Sequence, residues 1–277
     1  MFVYRSRFLT RGEVWFDNEP DDKPVDWILY RQRSSPVPHA RCRFFFTRLI
    51  DLGRSPDELL ADMEETTVSK IRQAIEKDKL ACERRDGSDA RNLDEFETMW
   101  NEFAAAKGSA PLNRAWLQEL AMAGALDMTA ARDVRGALLA VQATYRDKKR
   151  AQQLMVVSPY RSNPDIAARR LTNRANCFLH WNAMLRMKEQ GIGYFDFGGW
   201  YPGTSDIELL GINAFKKSFG GQVVCEYECH RILTLKARLV LTIARILRHA
   251  RDTRREYRAN TQKQTDAANG HKVSPAF

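Results

Sequence analysis

Residues 191–228 read GIGYFDFGGWYPGTSDIELLGINAFKKSFGGQVVCEYE, and the fold turns on how this stretch is parsed. Gly191 stops a helix, and Tyr194-Phe195-Asp196-Phe197 alternates as a half-buried strand does. Gly198 and Gly199 break that strand where the backbone must turn tightly or approach a ligand closely. A polar loop carrying Glu208 follows, then a short basic turn from Phe215 to Gly221, then a second strand from Gln222 to Tyr227. Two glycine-ended strands, one bearing Asp196 and the other preceded by Lys216-Lys217, outline the rim of a site. The same pattern also fits a strand pair joined by glycine turns, with its lysines in water.

Upstream, Thr172 to Gln190 reads as a helix with Phe178, Trp181, Leu185 and Met187 as its apolar content. Before it come a loop from Ser158 to Pro164 and three strands in a meander, 125–131, 136–145 and 150–158, joined by short polar turns. Asn113 caps a helix closed by Gly124, and Asn92 caps another ending near Gly108. Ser55-Pro56-Asp57-Glu58 is a helix start with proline at the first position and a capping box, and the helix runs to about Asp78. Residues 80–85 and 43–52 read as strands. Two further strands, Gly12 to Phe16 and Val25 to Tyr30, sit in the N-terminal 42 residues.

Phe195-Asp196-Phe197-Gly198-Gly199, a loop, and then Phe215-Lys216-Lys217-Ser218-Phe219-Gly220-Gly221 resembles the end of the acyltransferase domain in the Fem family. These aminoacyl transferases build peptidoglycan interpeptide bridges on a GNAT-like fold. The resemblance implies an α/β (α+β) domain over residues 43–230, a mixed sheet flanked by helices, with an N-terminal remnant before it. It implies Lys216 as a cation beside the donor ester, fixed by Phe215. A positioned ammonium aimed at a developing oxyanion is worth about 3 kcal/mol. Ser69-Lys70-Ile71-Arg72 resembles the basic segment that opens such domains, which makes Lys70 and Arg72 candidate contacts for an anionic substrate. The bland reading is a solvated helix face. Asp196 and Glu208 are the candidate bases; Asp196 could equally hold backbone at the strand end. His180 and Cys177 read as packing residues of their helix.

In a GNAT-like sheet the acyl carbonyl sits where two parallel strands splay, here the strand ending near Ser158 and the strand 194–197. The following helix would aim its N-terminus at the same cleft, with Arg169, Arg170 and Arg174 at its mouth and Gly198 and Gly199 opposite. Arg170-Leu171-Thr172-Asn173-Arg174-Ala175 lacks the glycines with which acetyl-CoA users cradle a pyrophosphate. That weakens coenzyme A as the donor and leaves aminoacyl-tRNA open beside acyl-CoA as the anionic co-substrate, with no tightly bound cofactor and no metal. The implied acceptor is an amine or hydroxyl on a cell-envelope glycan or peptidoglycan precursor. The alternatives are a coenzyme A-dependent N-acyltransferase acting on a nucleotide sugar, and a domain that binds an anionic glycan, RNA or membrane without chemistry.

Composition narrows the rest. With 44% hydrophobic and 29% charged residues, 277 residues suffice for a buried core. The net charge of +9 is concentrated in Arg231 to Arg258, where nine Arg and Lys face two acids. A globally basic nucleic-acid binder is therefore not indicated. That segment predicts a basic amphipathic helix that either packs on the sheet or lies against an anionic membrane surface. Its arginines interrupt every apolar run too often for a spanning helix. Residues 259–277 read as an unstructured tail. Five scattered cysteines without a Cys-x-x-Cys, and no apolar signal segment in Met1 to Thr10, suggest a reducing cytoplasm.

Overall fold

Alternating side chains along ten strands build one continuous sheet in the computed structural model, which describes residues 1–6, 8–158 and 165–244. In chain order the elements are β1 (Phe2–Ser6), β2 (Leu9–Trp15), β3 (Trp27–Arg33), β4 (Arg41–Asp51), α1 (Pro56–Ala61), α2 (Glu65–Glu76), β5 (Ala81–Arg85), α3 (Ala90–Lys107) and α4 (Arg114–Met122). There follow β6 (Leu126–Arg132), β7 (Leu138–Arg146), β8 (Arg150–Val157), α5 (Ile166–Glu189), β9 (Tyr194–Gly199), α6 (Ile207–Lys217) and β10 (Gln222–Ile232). Residues 235–244 form a further helix, α7. The sheet order is β1-β2-β3-β10-β4-β9-β8-β7-β6-β5, antiparallel except for the β2–β3 and β8–β9 pairs.

The expected meander is present as β6, β7 and β8, and its alternation sorts the core onto two faces. Ala140 of β7 packs with Phe178 and Leu179 of α5. Its neighbours Val141, Ala143 and Tyr145 face the other way, onto Leu93 and Phe96 of α3 and Leu117 and Leu120 of α4. A third cluster joins β4 and β9 to α1, α2 and α5 through Ile50, Leu59, Ile71, Met184 and Phe195.

Several elements depart from the sequence reading for tertiary reasons. The helix expected from Ser55 to Asp78 is two helices. Ser55 does make its capping box with Glu58, but the chain breaks at Asp62 to dock on the turn between α6 and β10. There Glu64 N–H donates to Ser218 O at 2.9 Å, and Asp62 accepts from Gly221 N–H at 2.9 Å. Gly221 has φ +72°, and a Cβ on it would lie 2.2 Å from Leu49 O, so only glycine fits. Asp89, not Asn92, caps α3; Asn92 instead donates to Asp86 O at 3.0 Å. The N-terminal residues supply three strands rather than two, because Phe2–Ser6 pairs with β2.

The cysteines are also corrected. Cys42 and Cys229 lie opposite one another in the β4–β10 register, with Cα atoms 4.0 Å apart, and form a disulfide. Long-range strand pairing put them together, which no local spacing could reveal. The basic helix expected over 231–258 starts later, at residue 235, since β10 continues to Ile232. Residues 245–258 of that helix, the tail and residues 159–164 of the loop lie outside the described residues.

Candidate active site

Parallel β8 and β9 pair over only three positions, ending at Gln152↔Asp196. Beyond them β8 stays with β7 and β9 stays with β4, so the two strands separate. Backbone groups of β8 past Gln152 on that side have no strand partner, and a cleft of about 560 Å³ opens there. Gln153 and Val156 of β8, Ser158 just after it and Phe197 of β9 form its floor. Asn173, Asn176 and His180, spaced three and four apart on α5, form one wall. Gly211, Ile212, Phe215 and Lys216 of α6 form the other.

α6 replaces the loop and basic turn expected from the sequence. Asp206 caps it by accepting from Leu209 N–H at 3.0 Å, and Gly211 inside it obscured the helical period. Glu208 therefore stands in the first turn of a helix rather than in a loop, at the rim of the cleft, where Lys107 of α3 donates to it.

Lys216 is buried near the end of α6 and donates to Gly199 O and, at 3.3 Å, to Gly198 O. It thus pins the end of β9 and leaves one ammonium N–H for the cleft among the described residues. Burial lowers its pKa from 10.5 to about 8, against the opposing pull of Asp196. The sign of the consequence is fixed. Between pH 8 and 10.5 the unfolded chain holds a proton that the folded chain has released, so this group favours folding more as pH rises through that window. The ammonium itself disappears over the same window. Any reaction that uses this ammonium is therefore expected to slow above about pH 8 while the melting temperature does not fall with it. A Lys216→Arg variant should lose this alkaline limb; a profile identical in both proteins would detach the limb from Lys216.

Asp196 is fully buried and wholly engaged. It accepts from Gln32 Nε2 at 2.6 Å, Gly198 N–H at 2.7 Å, Thr47 and Arg150, and Arg150 also bridges to Glu226. These bonds give it a positioning part, holding the turn at Gly198, and leave it no access to a substrate proton. Gly198, which makes this N–H bond, has φ +71°. Gly198→Ala is expected to cost roughly 1–2 kcal/mol of stability in urea unfolding. Gly199→Ala, with ordinary φ and room for a Cβ, should cost far less. Equal losses would show that the φ of Gly198 is not what matters.

The arginine cluster is split by the helix. α5 begins at Ile166, six residues before the expected start, so all three arginines lie within it. Arg169 is one turn before Asn173 on the cleft side, Arg170 is exposed, and Arg174 is held by Asp78 at the end of α2. The N-terminus is already capped: Asp165 accepts from Ala167 N–H at 2.9 Å and Ala168 N–H at 3.2 Å. A pyrophosphate there would meet a carboxylate, so Asp165 competes for the N–H groups to which the sequence assigned an anion. Lys70 and Arg72 sit on α2 and do not line the cleft; Ile71 and Ala74 turn inward, which leaves Arg72 in water.

His180 was read as a packing residue and is also a wall of the cleft. It stacks on Phe197 and is boxed by Phe215 and Phe219, with Nδ1 2.6 Å from Asn176 O and Nε2 2.7 Å from Gln153 Oε1. Burial, with Lys216 nearby, pulls its pKa down to about 4, so it is neutral. Nδ1–H then donates to Asn176 O, and Nε2 accepts from the Gln153 side-chain amide turned to present its NH₂. The 173/176/180 spacing was the available signal. Cys177 faces away and is buried, its thiol pushed up to about 11 by desolvation, so it is no nucleophile.

Comparison with known proteins places this geometry. Residues 66–217 match the family model of the acetyltransferase (GNAT) domain. Among solved structures, FemX aligns with a TM-score of 0.54 at 16% identity, over 70% of this chain and 63% of its own. The chain thus spans less than two thirds of the length of FemX. The C-terminal domain of a protein assigned as lysylphosphatidylglycerol synthetase from Agrobacterium fabrum aligns with a TM-score of 0.52 at 17% identity, over 88% of both chains. L-PGS from Bacillus licheniformis gives 0.51 at 12% identity, over 87% of both. These likenesses establish a shared fold. No curated protein matches the chain.

Proposed function

We propose, for a chain that belongs to the acetyltransferase (GNAT) domain family and is an acyltransferase, that the cleft between β8 and β9 transfers an aminoacyl group from an ester donor to an amine. The observation that carries the choice of donor is Asp165. Its carboxylate takes the first free N–H groups of α5, where a coenzyme A pyrophosphate would need them. An aminoacyl-tRNA places its phosphates elsewhere, along the RNA, and needs only its ester in the cleft. The polar wall also suits an aminoacyl group. Asn176 Oδ1 is buried without a hydrogen-bond partner, and an N–H on the donated group would satisfy it.

The chemistry then assigns parts to residues. The acceptor nitrogen bonds to the ester carbonyl carbon, the ester C–O bond breaks, and the amine proton leaves with the freed hydroxyl. The Lys216 ammonium, held by the Gly198 and Gly199 carbonyls rather than by Phe215, stabilises the negative charge that grows on the carbonyl oxygen. Gly198 and Gly199 are held by Asp196 and Lys216 so that the end of β9 keeps clear of β8. Arg169 meets the donor's anionic part at the rim, and Glu208 lies where the acceptor enters. We assign Lys70 and Arg72 no contact with the donor.

One of the structural neighbours is named as a lysylphosphatidylglycerol synthetase, and no described helix is long and apolar enough to cross a membrane. The proposed acceptor is an amine-bearing envelope precursor met at an anionic membrane surface. The outward residues of α7 support this: Leu235, Leu239 and Ile243, at helical spacing, are exposed beside Lys236 and Arg238. The test is to incubate the full chain with charged tRNAs or labelled acyl-CoAs and a lipid extract containing envelope precursors. Label moving from tRNA to lipid supports the reading; label moving only from acyl-CoA overturns the choice of donor.

A further inference from the structure

A second cavity, of about 750 Å³, lies between α7 and the strands β3, β10 and β4, and the acyl-transfer reading makes no use of it. Its charge is one-sided. Arg41, Arg43, Arg238 and His230 line it, with Trp27 and Leu241 giving apolar surface. Arg43 is partly neutralised by Glu228, whereas Arg41 and Arg238 have no acidic partner among the described residues. Arg11 stacks 4.1 Å over the Trp27 ring, adding a cation behind the same wall. The Trp27 indole N–H is buried and lacks an acceptor. Three guanidiniums along one groove are what a phosphate group needs. The floor is braced by the Cys42–Cys229 disulfide, which ties β4 to β10 beneath Arg41 and Arg43.

Topology sets this groove at the same end of the sheet as the cleft. β4 and β9 are antiparallel with Thr47 opposite Gly199, so the start of β4, carrying Arg41 and Arg43, lies at the end where β9 and the cleft open. The end of β10 arrives there too, since His230 faces Arg41. From that end α7 departs, anchored by Thr234 and Lys236 to Asp26, with Leu235, Leu239 and Ile243 turned outward.

We propose that this groove binds the phosphate-bearing headgroup of an anionic membrane lipid while the outward leucines and isoleucine of α7 enter its acyl boundary. The proposal rests on the membrane contact put forward above and names the site that makes it. A bilayer fits better than an RNA, because phosphate recognition alone gives no use for an exposed Leu235–Leu239–Ile243 stripe. An arginine groove under an amphipathic helix combines charge attraction with apolar insertion.

The experiment uses the full chain with vesicles of phosphatidylcholine alone or mixed with phosphatidylglycerol, and with dihexanoyl phosphatidylglycerol as a soluble probe. Saturable binding to the soluble lipid and recovery only on the anionic vesicles are expected. Arg41→Gln with Arg238→Gln should weaken binding of the soluble lipid about tenfold or more. Both side chains are exposed, so the fold should hold, and circular dichroism checks it. Leu235→Ser with Leu239→Ser should reduce vesicle recovery and leave soluble-lipid binding intact. Lys216→Ala should bind lipid as the parent does, which separates failure of this site from failure of the transfer reading. Unchanged lipid affinity in the double arginine variant would overturn the proposal. So would inorganic phosphate binding as tightly as the lipid, or loss of tRNA binding alone when the two arginines are replaced.

Discussion

Lys216→Ala should lower the rate of transfer by about 10²–10³-fold with little change in KM. It removes a donor that strengthens only as charge develops on the carbonyl oxygen. The ammonium is buried in the wall of the cleft, and two of its N–H groups are spent on Gly198 and Gly199. The variant must therefore be compared with Lys216→Arg, which keeps a cation and donors to those carbonyls. Partial recovery in the arginine variant, with the alanine variant still folded, is the expected pair of results. A folded alanine variant with the parent rate would reduce Lys216 to a clamp on the end of β9.

The second large effect concerns stability. Asp196→Ala leaves Arg150 facing Glu226 alone and strips acceptors from Gln32, Thr47 and Gly198 N–H. Breaking a buried pair of this kind costs about 3–5 kcal/mol. Much of the variant is expected in inclusion bodies, with any soluble fraction unfolding at far lower urea. Asp196→Asn keeps the shape and part of the bonding, so its folded fraction should transfer within a few-fold of the parent rate. A stable Asn variant with activity lost by two or more orders of magnitude would instead restore Asp196 as the general base.

What the sequence disclosed follows from what is local. The β9 alternation and the meander depend on neighbours within a few residues and were legible, whereas β9 runs on through Gly198 and Gly199 instead of breaking there, and the basic turn is the end of a helix. The splay of β8 from β9 was expected through the family resemblance, and the register places it past Gln152. Features decided by distant partners were not legible. Asp62 leaves the helical path to reach Gly221, and Cys42 meets Cys229 across 187 residues. Arg174 looked like part of a phosphate cluster until Asp78 claimed it. His180 was hidden by its own environment, because a histidine among phenylalanines reads as core whether or not a cleft lies beside it.

The claim on which the rest depends is that the acyl donor occupies the space between β8 and β9. Gly211 provides a direct way to close that space. It lies on the cleft side of α6, its φ is not in the left-handed region, and a Cβ added there meets nothing within 4 Å. A bulky side chain can therefore enter the cleft without straining the helix, and replacing a mid-helix glycine favours helix by up to about 1 kcal/mol. The measurement is binding of labelled donor to Gly211→Trp, alongside its melting temperature. An unchanged or raised melting temperature with donor binding and transfer both lost is the expected result. A folded Gly211→Trp protein that binds and transfers as the parent does would place the reaction elsewhere.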